Sequence, residues 1–293
     1  MNFLIIIINY NNWLDTIECI QSLIVAKIFF ENIIVIDNYS NDDSYLRLKE
    51  KFPQIEIIKT TNNLGFSGAN NVGIRIGLER KVDFIILLNN DTIVKPDSIQ
   101  NLLKETINHP EVSLSTGQIR YYPEKNEIWY DGGGLISWRG LAVHHNFNKK
   151  VKDSFAKRSP SYVSFASGCF LCIRSRDLEK LGFMEEEFFL YLEDIEYSSR
   201  AIKKNLKILY VPNSIIYHKA NGARKLNKSM SYYSIRNRRL LIKRSFGITA
   251  KLYFNIIIRL KNFVWFFINR ELYLISKKAL SDYDNNKFGK FVN

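Results

Sequence analysis

Four short apolar runs punctuate the first ninety or so residues: Phe3–Ile8, Ile33–Ile36, Ile55–Ile58 and Phe84–Leu88. Each is almost continuously apolar, the pattern of a strand buried on both faces. The stretches between them predict helices over Trp13–Val25, Asp42–Lys51, Ser67–Arg80 and Pro96–Asn108, with Pro96 at a favourable first-turn position. Strand and helix in alternation imply an α/β fold, a mostly parallel sheet flanked by helices. Ligands on such sheets bind beyond the carboxyl ends of the strands, and Asn9, Asp37, Asn62–Gly65 and Asn89–Asp91 all fall there.

The rhythm changes between about 112 and 173, where short strand-like pieces alternate with turns such as Asp131–Gly134, and 144–160 reads as a polar, basic loop. Helices resume at Ser175–Leu181 and Asp194–Lys204, and two strand-like segments follow, Lys207–Val211 and Ile215–Tyr217. From Ser229 onward the pattern is helical. The expected division is a body at 1–228 and a helical, basic extension at 229–293.

Composition sharpens that division. The 293 residues are 46% hydrophobic, enough for a large core. The net charge of +13 is concentrated: from Lys219 onward there are 17 Lys and Arg against 3 Asp and Glu, so the body is close to neutral. Such an extension predicts an anionic partner, lipid headgroups or nucleic acid. Within Leu252–Arg270 the polar residues Asn255, Arg259, Asn262 and Asn269 share one helical face, and nearly everything else is apolar. That suits a helix lying on a membrane surface, or one packed on the body or on the partner in a homodimer. Arg259 and Lys261 argue against a span. Three cysteines give no disulfide framework and predict a reducing, cytoplasmic setting, peripheral to the inner face of the membrane if the extension docks there. Cys169 and Cys172 read as buried strand residues. Met1–Ile8 lacks the basic region and cleavage site of a signal peptide and reads as the first strand.

Several polar residues carry candidate chemistry. Asp37 ends a strand and has no capping duty; it could accept the imide N–H of a uracil or thymine base. Ser40 and Asp42 read as helix caps. Asn62–Gly73 is a glycine-bearing turn opening a helix, a place where backbone can approach phosphate or ribose. Asp91 is either a turn acid or a ligand for a hard metal ion, and His218 either structural or a further metal ligand. Glu193 and Asp194, with Glu196 behind them, either favour a helix dipole or supply a base whose pKa is raised by the apolar run Phe188–Tyr191.

Taken in order, these motifs resemble glycosyltransferase family 2, in its rhamnosyltransferase-like bacterial branch. The matching elements are Ile8-Asn9-Tyr10-Asn11, Val35-Ile36-Asp37-Asn38, Asn63-Leu64-Gly65-Phe66 with Ala69-Asn70-Asn71, Leu88-Asn89-Asn90-Asp91, Gly168-Cys169-Phe170-Leu171, Gly182-Phe183-Met184 with Phe188-Phe189, Glu193-Asp194-Ile195-Glu196 and His218. The resemblance spans roughly residues 3 to 240. It implies a GT-A fold and an inverting transfer from a dTDP- or UDP-sugar to a glycan or lipid-linked acceptor. Asp91 would be the carboxylate of the family's D-x-D element, with Asn89 in place of its first acid, and would hold Mg2+ or Mn2+ with help from His218. Asp194 would be the general base and Glu193 its neighbour near the acceptor. Asp37 would read the nucleotide base, and Asn9, Asn11, Asn63, Gly65, Asn70 and Asn89 would form the donor site.

Two other classes compete. A nucleic-acid-binding protein would use the basic extension with Tyr232, Tyr233, Arg236 and Arg238, but it leaves the ordered motifs without a role. A nucleotide-sugar pyrophosphorylase would want a Gly-rich, basic phosphate loop after the first strand, where this chain has Asn9-Tyr10-Asn11-Asn12.

Overall fold

The computed structural model of the chain describes residues 2–151, 158–220 and 228–291. Its first half follows the hydrophobic pattern closely. Strands β1 (Phe3–Asn9), β2 (Ile33–Asp37), β3 (Glu56–Lys59) and β4 (Phe84–Asn89) are joined by helices α1 (Trp13–Val25), α2 (Ser44–Lys51) and α3 (Gly65–Glu79). All four strands are parallel, in the order β4-β1-β2-β3. Side chains of β1 alternate between the two faces, as strand geometry requires. Ile5 and Ile7 pack with Cys19, Ile20 and Leu23 of α1, while Leu4 and Ile6 pack with Ala69 and Ile74 of α3.

The sheet continues past β4 in mixed order. Strand β5 (Thr92–Val94) and helix α4 (Ser98–Asn108) lead into β6 (Val112–Tyr121), β7 (Ile128–Tyr130), β8 (Gly133–Ile136), β9 (Leu141–His144), β10 (Ser161–Val163) and β11 (Phe170–Arg174). Helices α5 (Leu178–Leu181) and α6 (Glu193–Lys203) then precede β12 (Lys207–His218). Strand β11 runs antiparallel to both β4 and β6 and joins the parallel half to β6 and β12, which are parallel to each other. The sheet is therefore parallel across β1–β4 and mixed beyond. Strands β8 and β9 form a separate hairpin.

Four expectations are corrected. Pro96 lies outside α4, which starts at Ser98 behind a left-handed Asp97. Val112–Tyr121 is one ten-residue strand, and its burial reflects a position between β11 and β12. The segments Lys207–Val211 and Ile215–Tyr217 are a single strand, with a register shift against β6 between Val211 and Ile215. Ser40 is no helix cap: its hydroxyl accepts hydrogen bonds from Asn9 Nδ2 at 3.1 Å and from the Asn11 amide at 2.9 Å. Cys169 and Cys172 are buried free thiols, as expected. The stretch 144–160 includes residues outside the described set; of the rest, Lys150 bridges to Glu127.

The C-terminal region is helical: α7 (Lys228–Ser245), α8 (Ile248–Ile268) and α9 (Arg270–Asp284). Helix α7 is not a surface appendage. Tyr232, Tyr233 and Arg236 are buried and Arg238 is half-buried, so the two tyrosine rings offer no stacking face for nucleic acid. Helix α8 buries only the seam Ala250, Phe254 and Ile258. Phe263, Phe267 and Ile268 are exposed, along with Leu252, Ile256 and Leu260. Among the described residues no helix is long and apolar enough to cross a membrane.

Candidate active site

The strand ends come level because the register fixes them: Asn9 stands opposite Asp37 and Ile8 opposite Asn89. Amide side chains knit the loops beyond. Asn9 donates to Asp37 Oδ2 at 2.8 Å and accepts from the Thr16 hydroxyl at 2.8 Å. The Ser40 amide takes the other Asp37 oxygen at 3.0 Å. Asn38 donates to Asn63 Oδ1 and to the Gly65 carbonyl, both at 3.1 Å. Asn9, Asp37 and Asn70 are all buried and internally hydrogen-bonded, Asn70 to the Phe66 carbonyl within α3. They brace the loops from beneath. Asn11 is exposed and accepts from the Asn41 amide at 2.9 Å, tying the loop after β1 to the loop after β2.

Above this network lies a cavity of about 370 Å3 whose walls include Tyr10, Asn38, Asn63, Gly65, Asn89 and Asp91. Its far wall comes from the C-terminal region, through Tyr233, Lys290 and Phe291. Gly65 is required at its place. Its φ is +70°, and a Cβ there would stand 2.3 Å from the Phe189 carbonyl oxygen. That close approach lets the Phe66 amide donate to the same oxygen at 2.6 Å.

A second cavity, of about 470 Å3, adjoins the first. Phe66, Asn89, Asp91 and Leu190 line both. The second is bounded by Trp129, Tyr191, Glu193, Asp194 and His218. Asp91 therefore stands at the seam between two compartments, with the Glu193–Asp194 pair on the wall of the second.

Strand β5, which the hydrophobic pattern does not announce, explains how Asp91 meets His218. It lies antiparallel to the end of β12, with Thr92 opposite His218. His218 Nε2 is then 3.1 Å from the Asp91 carboxylate. Lys219 anchors the same strand end to α1 through ion pairs with Asp15 and Glu18. The Trp129 ring meets His218 edge-on, centroids 5.0 Å apart. Burial works against charge on Asp91, but the hydrogen bond and charge of His218, with Lys219 nearby, outweigh it and hold the carboxyl below its usual range.

Glu193 and Asp194 are shifted the other way. Both open α6, behind the left-handed Leu192. Burial, and then the Asp194 charge, push the Glu193 carboxyl up to about 8. Burial also raises Asp194, although its oxygens accept from the Gly168 amide at 3.1 Å and the Ile195 amide at 2.9 Å. A group whose folded pKa is raised contributes stability that is full below its ordinary value and is lost as pH rises through the folded value. Glu193→Gln cannot ionise, so its melting temperature should gain on the parent as pH rises from 5 to 9, by several degrees or more at the alkaline end. Thermal unfolding across that range checks this; a pH-independent difference would mean that Glu193 titrates as an ordinary carboxylate.

A divalent metal fits Asp91 and His218 in part. Asp91 Oδ1 and His218 Nδ1 are buried without hydrogen-bond partners. No cluster of three or more His, Cys, Asp or Glu suited to a metal occurs among the described residues. Two protein donors suffice for a metal that takes the rest of its shell from substrate phosphate and water.

The structure thus gathers Asn63, Gly65, Asn89, Asp91, Glu193, Asp194 and His218 around two joined cavities, and puts Asn9, Asn11, Asp37 and Asn70 in their supports. Trp129, Tyr191, Tyr233, Lys290 and Phe291 are wall residues that sequence reading missed. Their only sequence signal is aromatic or basic character, in β7 for Trp129, in a loop for Tyr191 and in the C-terminal region for the others.

A mixed α/β sheet with a strand-end cavity and an acid at its seam is the GT-A architecture of nucleotide-sugar transferases, and solved structures bear this out. The structure of GalNAc-T7 with UDP, GalNAc and Mn2+ aligns with a TM-score of 0.67 at 15% identity, over 87% of this chain and 50% of that one. S. aureus TarS 1-349 in complex with UDP-GlcNAc aligns with a TM-score of 0.57 at 15% identity, over 97% of this chain and 80% of that one. The model of glycosyl transferase family 2 matches residues 4–182, and the chain belongs to that family. Its relatives include the low-salt glycan biosynthesis hexosyltransferase Agl10 of Haloferax volcanii, 29% identical over 70% of this chain. This chain spans 62% of that protein's length. The dTDP-rhamnosyl transferase RfbF of Shigella flexneri is 24% identical over 83% of this chain and 81% of its own length.

Proposed function

We propose that this chain is an inverting glycosyltransferase that moves a sugar, rhamnose in the favoured case, from a dTDP- or UDP-sugar to a hydroxyl of a growing cell-surface glycan or lipid-linked acceptor. The observation that carries the reading is Asp91 at the seam of two joined cavities, with Glu193 and Asp194 on the wall of the second. The first cavity takes the donor. Tyr10 and the Asn38–Asn63 amides shape its nucleoside end, over the Asn9–Asp37–Ser40 network that fixes their loops. Lys290 offers a cation to the diphosphate. Asp91 and His218 would hold Mg2+ or Mn2+, which when bound stabilises negative charge on the leaving diphosphate. The acceptor enters the second cavity beside Trp129 and Tyr191, and Asp194 takes the proton of its attacking hydroxyl. Inversion needs one base and no enzyme nucleophile.

The test is a thermal-shift screen of UDP- and dTDP-sugars with manganese, followed by NMR of the anomeric configuration of the product. A true donor at a hundredfold excess over its Kd should stabilise the fold by about 2.7 kcal/mol. Absence of a shift with every donor, or a product that retains configuration, would sink the reading.

The exposed apolar face of α8 supports a peripheral membrane location. Leu252, Ile256, Leu260, Phe263 and Phe267 form it, and Lys251 and Arg259 are exposed beside it. Binding to liposomes should rise with anionic lipid and fall with salt, since screening shortens to about 3 Å at 1 M. Phe263→Ser with Phe267→Ser should abolish the binding and leave donor affinity unchanged. Co-sedimentation measures both arms, and equal binding by the double variant would exclude this face.

A further inference from the structure

Between Phe188 and Leu192 the chain takes a course that its residues do not favour. Phe189, Tyr191 and Leu192 have φ of 61°, 69° and 72°, in the left-handed region that side chains with a Cβ seldom adopt. Backbone of this kind persists only where its surroundings impose it. Here the imposition comes from α7. The Asn237 side chain is fully buried, and its amide nitrogen lies 2.8 Å from the Phe188 carbonyl oxygen, 2.7 Å from that of Leu190 and 2.8 Å from that of Tyr191. Two protons thus serve three converging acceptors. Arg236, 1% exposed, reinforces the same turn. Its guanidinium donates to the Phe188 carbonyl at 3.0 Å and the Glu187 carbonyl at 3.3 Å, and to the Gly289 carbonyl at 2.8 Å. Its Nε donates to Asn237 Oδ1 at 3.0 Å, which turns the amide nitrogen toward the loop.

This loop is not remote from the chemistry. Phe189 and Leu190 wall the first cavity, Leu190 and Tyr191 wall the second, and Glu193 and Asp194 follow directly. The Gly289 contact ties the same guanidinium to the segment that brings Lys290 and Phe291 to the first cavity.

We propose that Arg236 and Asn237 are positioning residues for sugar transfer: they hold the Phe188–Leu192 loop so that both cavity walls and the Glu193–Asp194 pair keep one fixed relation. The inference rests on the transferase reading above. It needs a donor-bearing side chain at 237, because three carbonyl oxygens converge there and an acceptor in that place would repel them.

The test uses the full chain with Asn237→Ala and Asn237→Asp, the latter conserving size while losing the N–H donors. Three quantities are compared with the parent: kcat per folded molecule with whichever UDP- or dTDP-sugar the parent turns over, Kd for the matching nucleoside diphosphate with manganese, and hydrogen exchange of the amides from Phe189 to Ile195. The expected result is a fall in kcat of about 10- to 100-fold, in line with the cost of small misplacements of reacting groups. Kd should stay within about threefold, and exchange should quicken from Phe189 to Ile195 while β1–β4 keep their protection. A variant with a lowered melting temperature but parental kcat and parental exchange in that loop would overturn the proposal and leave the pair a merely structural role. Should both variants fold poorly, Arg236→Lys, which keeps the charge and loses the fork, replaces them, and parental kcat and exchange there overturn the proposal equally. If the parent itself transfers no sugar, the transferase reading fails, while the exchange comparison still judges the clamp.

Discussion

Asp194→Asn should lower turnover by about 10²- to 10⁴-fold while leaving nucleotide binding within a few-fold of the parent. The substitution keeps the size of the side chain but only one acceptor oxygen, where the carboxylate uses one for the Gly168 amide and the other for the Ile195 amide. It removes the ability to take a proton together with one of those two hydrogen bonds, so unchanged nucleotide binding serves as the control for the site's geometry. The pH dependence of the parent should carry the same signature. Burial raises the Asp194 carboxyl, so the active, ionised base is lost as pH falls through a value above the ordinary carboxylate range. The acid limb of kcat is expected there, and Asp194→Asn should lack it. Steady-state kinetics across pH with the parent and the variant decides the matter, and parental turnover in the variant would remove Asp194 from the mechanism.

Asp91→Ala should weaken binding of UDP or dTDP in manganese by at least about tenfold, ~1.4 kcal/mol, and leave binding of the bare nucleoside unchanged. The contrast arises because Asp91 stands at the seam of the cavities, away from the amide network around Asn9 and Asp37. A chelator should reproduce the loss in the parent and add nothing in the variant. Isothermal titration with nucleoside and nucleoside diphosphate, each with and without manganese, separates these cases. Undiminished diphosphate affinity after both chelation and substitution would take the metal away from Asp91.

The first half of the fold was legible because fully buried parallel strands and amphipathic helices write themselves into the sequence as period and run length. Helix α1 falls where the pattern puts it, Trp13–Val25, and β1, β2 and β4 each extend one residue beyond their apolar runs, through Asn9, Asp37 and Asn89. What was not legible has a common physical cause. Strand β5 is three residues long and owes its existence to pairing with β12, more than a hundred residues later. No local preference announces it, yet it sets Asp91 against His218. Similarly the burial of Asp37 and its hydrogen bonds to Asn9 and Ser40 emerge only when two loops fold together. The Phe188–Leu192 loop was hidden for the opposite reason: its local preferences run against the conformation that Arg236 and Asn237 impose. The acids at 91, 193 and 194 stood out because each follows a strongly apolar run, and the structure sets all three on cavity walls.

The wall contributed by Tyr233, Lys290 and Phe291 bears on how such enzymes diversify. The walls of the first cavity are drawn from the first strand ends and, some two hundred residues later, from helix α7 and the segment after α9. On the proposed reading, in which the first cavity takes the donor and α8 meets the membrane, exchange of that region between relatives would alter both functions in one recombination event. A hybrid joined just after β12 would then take its surface attachment and part of the first cavity's wall from the same parent.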